Sequence, residues 1–300
     1  MSRQFLQYDV FTSEPLKGNQ LAVFLDGRGL STPQMQAIAK EMNFSESTFI
    51  LPAETPGTDV RMRIFTPGSE LPMAGHPTIG STFALAHAGV IRAGADRFVF
   101  GLGVGPTPVD LRWTDGRLAF AEMTQLNPTF GQPLTDRAGA ATAIGLTVSD
   151  LAAALPVQEV SCGVPYVIVP LQDRATVDRA DTDLAAWRTF VAASGLRADT
   201  CIYLFAHDDA GAYSRMFAPG FGIAEDPATG SAAGPLGCYL VHHRQVATGN
   251  EQVASVAIDQ GVRMGRPSRM HVAITAEGGA ITAVKVGGDA VLVARGELLL

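Results

Sequence analysis

The sequence predicts an α+β chain of two similar domains related by an internal pseudo-twofold repeat, each with strands wrapped around one central helix. Three observations point there. The chain matches itself at about half its length: Arg-Ile-Phe-Thr-Pro-Gly at 63–68 returns as Arg-Met-Phe-Ala-Pro-Gly at 215–220, an offset of 152. Pro77-Thr-Ile-Gly80-Ser81 faces Pro227-Ala-Thr-Gly230-Ser231 at offset 150, and Ile50 faces Ile202 at 152, which sets Ala198 opposite Glu46. Second, each half holds a segment that is small and apolar nearly all round, Ile79–Ala86 and Ala232–Leu240, and a helix without a polar face is buried on all sides. Third, 32 glycines and 18 prolines imply many turns, hence many strands.

The elements follow in the same order in both halves. An extended run comes first, 20–25 and 166–169, then a helix with apolar residues at i, i+3, i+4 spacing, 33–42 and 184–194. Two strands come next, 48–51 and 60–65 in the first half, 201–205 and 213–217 in the second. A Pro-Gly loop then leads into the Ala-rich helix, 77–88 and 227–243. The first half adds a hairpin, 109–113 and 117–123, turning on Asp115-Gly116. Residues 124–133 read as a linker and 138–154 as one or two short helices. Strands near 253–258, 271–276, 280–286 and 291–294 complete the chain.

Composition narrows the function. A net charge of −7 and the lack of a basic block argue against a nucleic-acid partner. No apolar run approaches the ~18 residues of a membrane helix, and residues 1–19 carry no secretory h-region. Three cysteines, an odd number without CxxC spacing, favour a reduced, cytoplasmic protein. No HExxH or Cys/His cluster suggests a metal, and Gly101-Leu-Gly103-Val-Gly105 lacks the GxGxxG spacing of a dinucleotide loop.

The chemistry gathers at the two equivalent helix starts. Gly75-His76-Pro77 and Glu225-Asp226-Pro227 each set a polar residue before a proline, which suits the first helical position. His76 and Asp226 then read as N-caps, a plain structural role that fits Asp226 better than His76. The open N–H groups of such an end suit a carboxylate or phosphate, and Gly80, Gly230 and Ser231 are placed in the first turns. Two such ends facing each other about a pseudo-dyad would make an anion site flanked by a histidine and an aspartate. Glu46 is read between helix and strand, flanked by Phe44 and Phe49; partial burial would bring a carboxyl toward the range useful for proton transfer. Alanine opposite it means that folding does not require an acid there. Asn19 is a turn residue that would line the same site.

These segments, Gly18-Asn19, Phe44-Ser45-Glu46-Ser47-Thr48, Ala74-Gly75-His76-Pro77-Thr78, Glu225-Asp226-Pro227-Ala228-Thr229-Gly230-Ser231 and Gln260-Gly261 through Gly265-Arg266-Pro267-Ser268, resemble in this order the phenazine-biosynthesis isomerase family, called PhzF-like, from about residue 5 to the C-terminus. The resemblance implies a diaminopimelate-epimerase-like fold, two domains each a β-barrel around a central helix. It implies domains of 1–124, with a returning strand at about 288–300, and 125–287. It further implies a cofactor-independent isomerase of a small carboxylate, similar to trans-2,3-dihydro-3-hydroxyanthranilate isomerase, acting between the domains of a homodimer. Glu46 would be the proton carrier, with His76 and Asp226 assisting and Ser45, Gly75, Gly230, Ser231 and Asn19 binding substrate. The positions matching the two cysteines of the epimerases are Ala74 and Thr229, so a two-thiol racemase mechanism is not expected. Epimerisation or tautomerisation of another small carboxylate, or a non-catalytic ligand-binding dimer, are the alternatives.

Overall fold

The computed structural model describes residues 2–221, 223–249 and 252–300. The chain begins with β1 (Ser2–Val10), β2 (Asn19–Phe24), α1 (Thr32–Met42), β3 (Glu46–Pro52), β4 (Val60–Phe65), β5 (Glu70–Leu71) and α2 (Gly75–His87). It continues with β6 (Arg97–Leu102), β7 (Gly105–Thr114), β8 (Arg117–Gln125), β9 (Thr129–Pro133), α3 (Arg137–Ala143), β10 (Gln158–Ser161) and β11 (Pro165–Pro170). Then come α4 (Arg174–Arg179), α5 (Leu184–Ala193), β12 (Cys201–Asp208), β13 (Gly211–Ala218), β14 (Ile223–Asp226) and α6 (Gly230–His242). The chain closes with β15 (Val253–Gln260), β16 (Ser268–Glu277), β17 (Ala280–Gly288) and β18 (Ala290–Leu299). Residues 129–133, read from sequence as linker, form a strand, because Phe130 and Thr129 pair with Val160 and Ser161 of β10 despite the flanking prolines.

The chain divides into two compact units. The first comprises residues 2–124 and 285–300. Its strands follow the order β18–β1–β2–β3–β4–β6–β7–β8, with β5 also on β4. The β7–β8 turn is Asp115-Gly116, both at positive φ (50° and 73°), the geometry a two-residue hairpin requires. Strands β2 and β3 are buried on both faces along most of their length, and each carries an apolar run, Leu21 to Phe24 and Phe49 to Leu51. Ala22, Phe24 and Phe49 pack under Met35, Ile38 and Ala39 of α1. On the other side lies α2, buried from Gly75 through Leu85 and contacting β1, β2, β3 and β18. Gly80 is what lets it approach: a Cβ there would lie 2.6 Å from both Leu21 Cδ2 and Val10 Cγ2.

The second unit spans 125–284. Its strands follow β9–β10–β11–β12–β13–β15–β16, with β14 also on β13. Trp187, Phe190 and Val191 of α5 pack with Ala140 of α3 against Val167, Val169, Ile202 and Leu204. Helix α6 is buried along nearly its whole length and contacts β10, β11, β15 and β16. The succession antiparallel, parallel, antiparallel, parallel, antiparallel is the same from β1 to β7 (through β2, β3, β4 and β6) as from β10 to β16 (through β11, β12, β13 and β15). Pairing also corrects one equivalence. Glu46 opens the β2–β3 pairing opposite Leu21 as Cys201 opens the β11–β12 pairing opposite Tyr166, so in strand order Cys201, and not Ala198, stands where Glu46 does.

In both units an arginine, half-buried Arg63 and buried Arg215, braces the strand before the apolar helix. Arg63 forks onto Glu70 (2.7 and 2.6 Å) and lies 5.0 Å over Phe65; Arg215 forks onto Glu225 (2.9 and 2.8 Å) and lies 4.8 Å over Phe217. Arg215 also donates to the carbonyls of Val177 and Ala180, satisfying the end of α4.

Candidate active site

Glu46 is set by the end of α1. Asn43 takes the left-handed conformation (φ 52°) and its N–H returns to the Ala39 carbonyl, which stops the helix. Three residues later Glu46 opens β3, paired in parallel with Leu21. The sequence placed it between helix and strand; the pairing with β2 takes it into the strand. Side chains alternate along a strand, so Glu46 and Thr48 share a face. Thr48 Oγ1 lies 2.9 Å from Ser81 Oγ of α2, and Glu46 Oε2 lies 3.2 Å from His76 Nε2. Two residues of strand advance about 6.7 Å and five of helix about 7.5 Å, so both contacts fit one crossing of β3 over α2.

The Glu46 side chain is 13% exposed and that of His76 only 4%. The two approach closely, off-axis for a hydrogen bond; such contacts are often loose before substrate tightens them. Burial pushes the His76 imidazole down to about 3, while a backbone hydrogen bond at Gln20 pulls the other way. At neutral pH the ring is therefore uncharged. Asn19, buried at the start of β2, lies with Nδ2 3.2 Å from His76 Nδ1. Ser45 is half-buried just before β3, and Gly75 is the first, buried residue of α2.

The helix starts differ from the sequence expectation. His76 is no cap: Ala74 is the extended N-cap, and His76 and Pro77 lie inside the first turn of α2. The missing N–H of Pro77 does no harm there, since first-turn N–H groups have no partner within the helix. Asp226 is no cap either. It ends β14, paired with Met216, and α6 begins only at Gly230, after Thr229. The two buried helices thus match at an offset of 155, which leaves Gly80 in the second turn of α2, while Gly230 and Ser231 do occupy the first turn of α6. The N-cap positions are Ala74 and Thr229, neither a thiol.

In the second unit Asp226 is buried and its Oδ2 accepts from Thr229 Oγ1 at 2.5 Å. The Gly230 carbonyl accepts from Gln125 Nε2 at 2.8 Å, and Ser231 Oγ lies 2.6 Å from the Tyr166 hydroxyl. Gln260 bonds both Asp226 and Thr229. Gln125, Tyr166 and Tyr203 escaped the sequence reading because polar side chains inside apolar strands look like core. Gln260 was visible as part of a motif, without a role. The three cysteines are buried and free, and burial, with Asp199 and Asp226 adding to it, pushes the Cys201 thiol up to about 12. His87 ends α2, 2.9 Å from Arg295 Nη2. Among the described residues no cluster of three or more His, Cys, Asp or Glu is arranged to hold a metal ion. No described helix is long and apolar enough to cross a membrane.

The arrangement suits proton transfer in the first unit: a sheltered carboxyl beside a neutral imidazole. Comparisons with known proteins find isomerases. The family model described as phenazine biosynthesis-like protein matches residues 8–296. An uncharacterized isomerase of Mesorhizobium japonicum is 39% identical, covering 100% of this chain and 99% of its own. The trans-2,3-dihydro-3-hydroxyanthranilate isomerase of Pseudomonas aeruginosa is 38% identical, covering 99% of each. The crystal structure of a PhzF-family phenazine biosynthesis protein from Bacillus anthracis superposes with a TM-score of 0.89 at 28% identity, covering 100% of both chains.

Proposed function

This chain belongs to the phenazine biosynthesis-like family, a family of isomerases, and from that premise we infer that it moves a proton within a small, carboxylate-bearing molecule, with Glu46 as the carrier. The observation that carries the reading is the approach of Glu46 Oε2 to 3.2 Å from a buried, neutral His76. The carboxylate takes a proton from an activated carbon, the electron pair shifts along the conjugated system, and the resulting carboxyl group, whose proton exchanges with solvent, delivers a proton to another carbon. No atom is gained or lost. A positioned general acid–base of this kind contributes about 10²–10⁴ in rate, and holding the substrate in register adds several kcal/mol more.

The neutral ring suits the task in two ways. An imidazole with its pKa near 3 does not compete for the travelling proton at pH 7. Its Nε2 carries a proton in one tautomer and a lone pair in the other, so it can face Glu46 as carboxylate or as acid. Asn19 lies against the other ring nitrogen, Nδ1, and holds the ring facing Glu46. In the same reading Asp226 orients the substrate, while Ser45, Gly75, Gly230 and Ser231 bind its polar groups. The first-turn N–H groups of α6 favour a carboxylate. Ala74 and Thr229 at the caps weigh against the two-thiol epimerase alternative.

The common order of strand pairing supports reading the two units as copies of one barrel around one helix, with domains of 1–124 plus 288–300 and 125–287. The family resemblance adds a homodimer in the cytoplasm, which light scattering on the purified protein tests for oligomeric state. The substrate proposed is trans-2,3-dihydro-3-hydroxyanthranilate, the compound named for the P. aeruginosa relative. Incubation with it in heavy water, with Glu46→Gln in parallel, is the direct test. Turnover with deuterium uptake by the wild-type protein alone is expected. Equal turnover by the variant removes Glu46 from its role, and no turnover by either removes the substrate.

A further inference from the structure

The isomerase reading above underlies a role for Gln260, the last residue of β15, whose side chain is fully buried. Its carboxamide makes all four hydrogen bonds open to it. Nε2 donates to the Asp226 carbonyl at 2.7 Å and to Thr229 Oγ1 at 3.0 Å. Oε1 accepts from the Thr229 N–H at 3.2 Å and from the Tyr203 hydroxyl at 3.0 Å. Burial pushes the Tyr203 phenol well above its ordinary range, so it stays a donor. Three of the four bonds fall on the short turn between β14 and α6. The next residue, Gly261, has φ +74°, and a Cβ there would lie 2.5 Å from the Pro227 carbonyl oxygen. The end of β15 is thus pressed against the same turn by backbone contact as well.

The direction of these bonds has a chemical consequence. Because Nε2 donates into Thr229 Oγ1, the single hydroxyl proton of Thr229 is directed away from Gln260, onto Asp226 Oδ2 at 2.5 Å. Asp226 Oδ2 is therefore held as an acceptor, and the carboxyl group cannot rotate without breaking that bond. We propose that Gln260 is a positioning residue for the isomerase reaction: its carboxamide fixes the Thr229 hydroxyl, through it the orientation of Asp226, and with it the turn from which α6 starts. A buried glutamine used only for packing would be costly against an apolar residue of the same size unless its bonds were needed. Here they converge on one turn and one carboxylate.

The test uses Gln260→Met, Thr229→Val, Thr229→Ser and the Gln260→Met/Thr229→Val double variant of the whole chain. The readouts are kcat and KM on trans-2,3-dihydro-3-hydroxyanthranilate, melting temperature, and amide hydrogen exchange by NMR. Gln260→Met and Thr229→Val should each lower kcat about 10- to 100-fold with KM changed less than about threefold, as expected for a misplaced but intact group. Thr229→Ser, which keeps the hydroxyl, should stay within about threefold of wild type. The double variant should be no worse than the poorer single one, because both changes break one relay. Additive losses, or a Gln260→Met enzyme with wild-type kcat, overturn the proposal. If Gln260→Met fails to fold, the contrast between Thr229→Val and Thr229→Ser decides: equal kcat in those two overturns it. If the wild-type protein leaves this substrate untouched, the substrate assignment has failed and exchange decides the positioning. Gln260→Met must then speed exchange of the Thr229 amide at least about tenfold while the amides of α5 are unchanged; an unaltered Thr229 amide overturns it.

Discussion

Substituting Gly80→Ala sets two effects of opposite sign against each other. In a helix interior alanine is favoured over glycine by about 0.8–1 kcal/mol, so on propensity alone the change should stabilise. The packing says otherwise. The new methyl would sit 2.6 Å from Leu21 Cδ2 and 2.6 Å from Val10 Cγ2, where carbon contacts need about 3.5–4.0 Å. Both neighbours are completely buried, so α2 must retreat by about 1 Å. Overpacking of this kind costs about 1–3 kcal/mol, which outweighs the propensity gain and leaves a net loss of about 0.5–2 kcal/mol. For a chain of this size the melting temperature should fall by about 1–3 °C. The retreat also carries His76, four residues earlier on the same helix, away from Glu46, opening their 3.2 Å approach. Misplacement on that scale costs up to about 10²-fold in kcat. Thermal denaturation and turnover of the same preparation measure both. A raised melting temperature with unaltered kcat would refute the claim that the Gly80 contact positions the site.

Other outcomes follow from the same geometry. Glu46→Gln should lower kcat by about 10²-fold or more with a melting temperature within about 2 °C of wild type, since the amide keeps the carboxyl's shape; residual activity within tenfold counts against Glu46 as the carrier. His76 makes stability depend on pH. Its folded pKa is depressed to about 3, so above pH 6.5 the ring is neutral in both states and folding loses nothing. As pH falls below 6.5 the unfolded chain binds a proton that the folded one refuses, and stability drops by about 1.4 kcal/mol per unit toward pH 3. Urea titrations at pH 6.5 and 4.5 should show a smaller drop in His76→Asn than in wild type; parallel drops in the two proteins would contradict the burial argument. Arg215→Met strands the largely buried Glu225 and the carbonyls at the end of α4, and should cost about 3–5 kcal/mol by urea denaturation. Arg215→Lys should restore only part of this, because an ammonium cannot make the forked pair.

Local pattern was enough for much of the fold. The alternation of apolar residues located most strands, and the absence of a polar face marked α2 and α6 as buried. Asp115-Gly116 announced its turn because few residues tolerate two successive positive φ values. Motif order named the family, since it samples the whole chain at once. The helix starts were misread for a physical reason. Proline tells where a helix can begin, but pairing of Asp226 with Met216 drew Pro227, Ala228 and Thr229 out of α6, which starts at Gly230. An offset of 152 carried from strand to strand missed in the same way, since Cys201 rather than Ala198 opens the β11–β12 pairing as Glu46 opens β2–β3.

The site shows the same division. The residue types at 46, 76 and 226 were legible as chemistry from the sequence, as was the lack of thiols at 74 and 229. That Glu46 and His76, thirty residues apart, stand 3.2 Å from each other was decided by the parallel register of β2 and β3 and by the crossing of α2 that Gly80 permits. The neutrality of His76 and the four bonds of Gln260 were likewise decided only by enclosure. Periodicity records which face of an element is buried; long-range register and desolvation arise only when the elements are packed against one another.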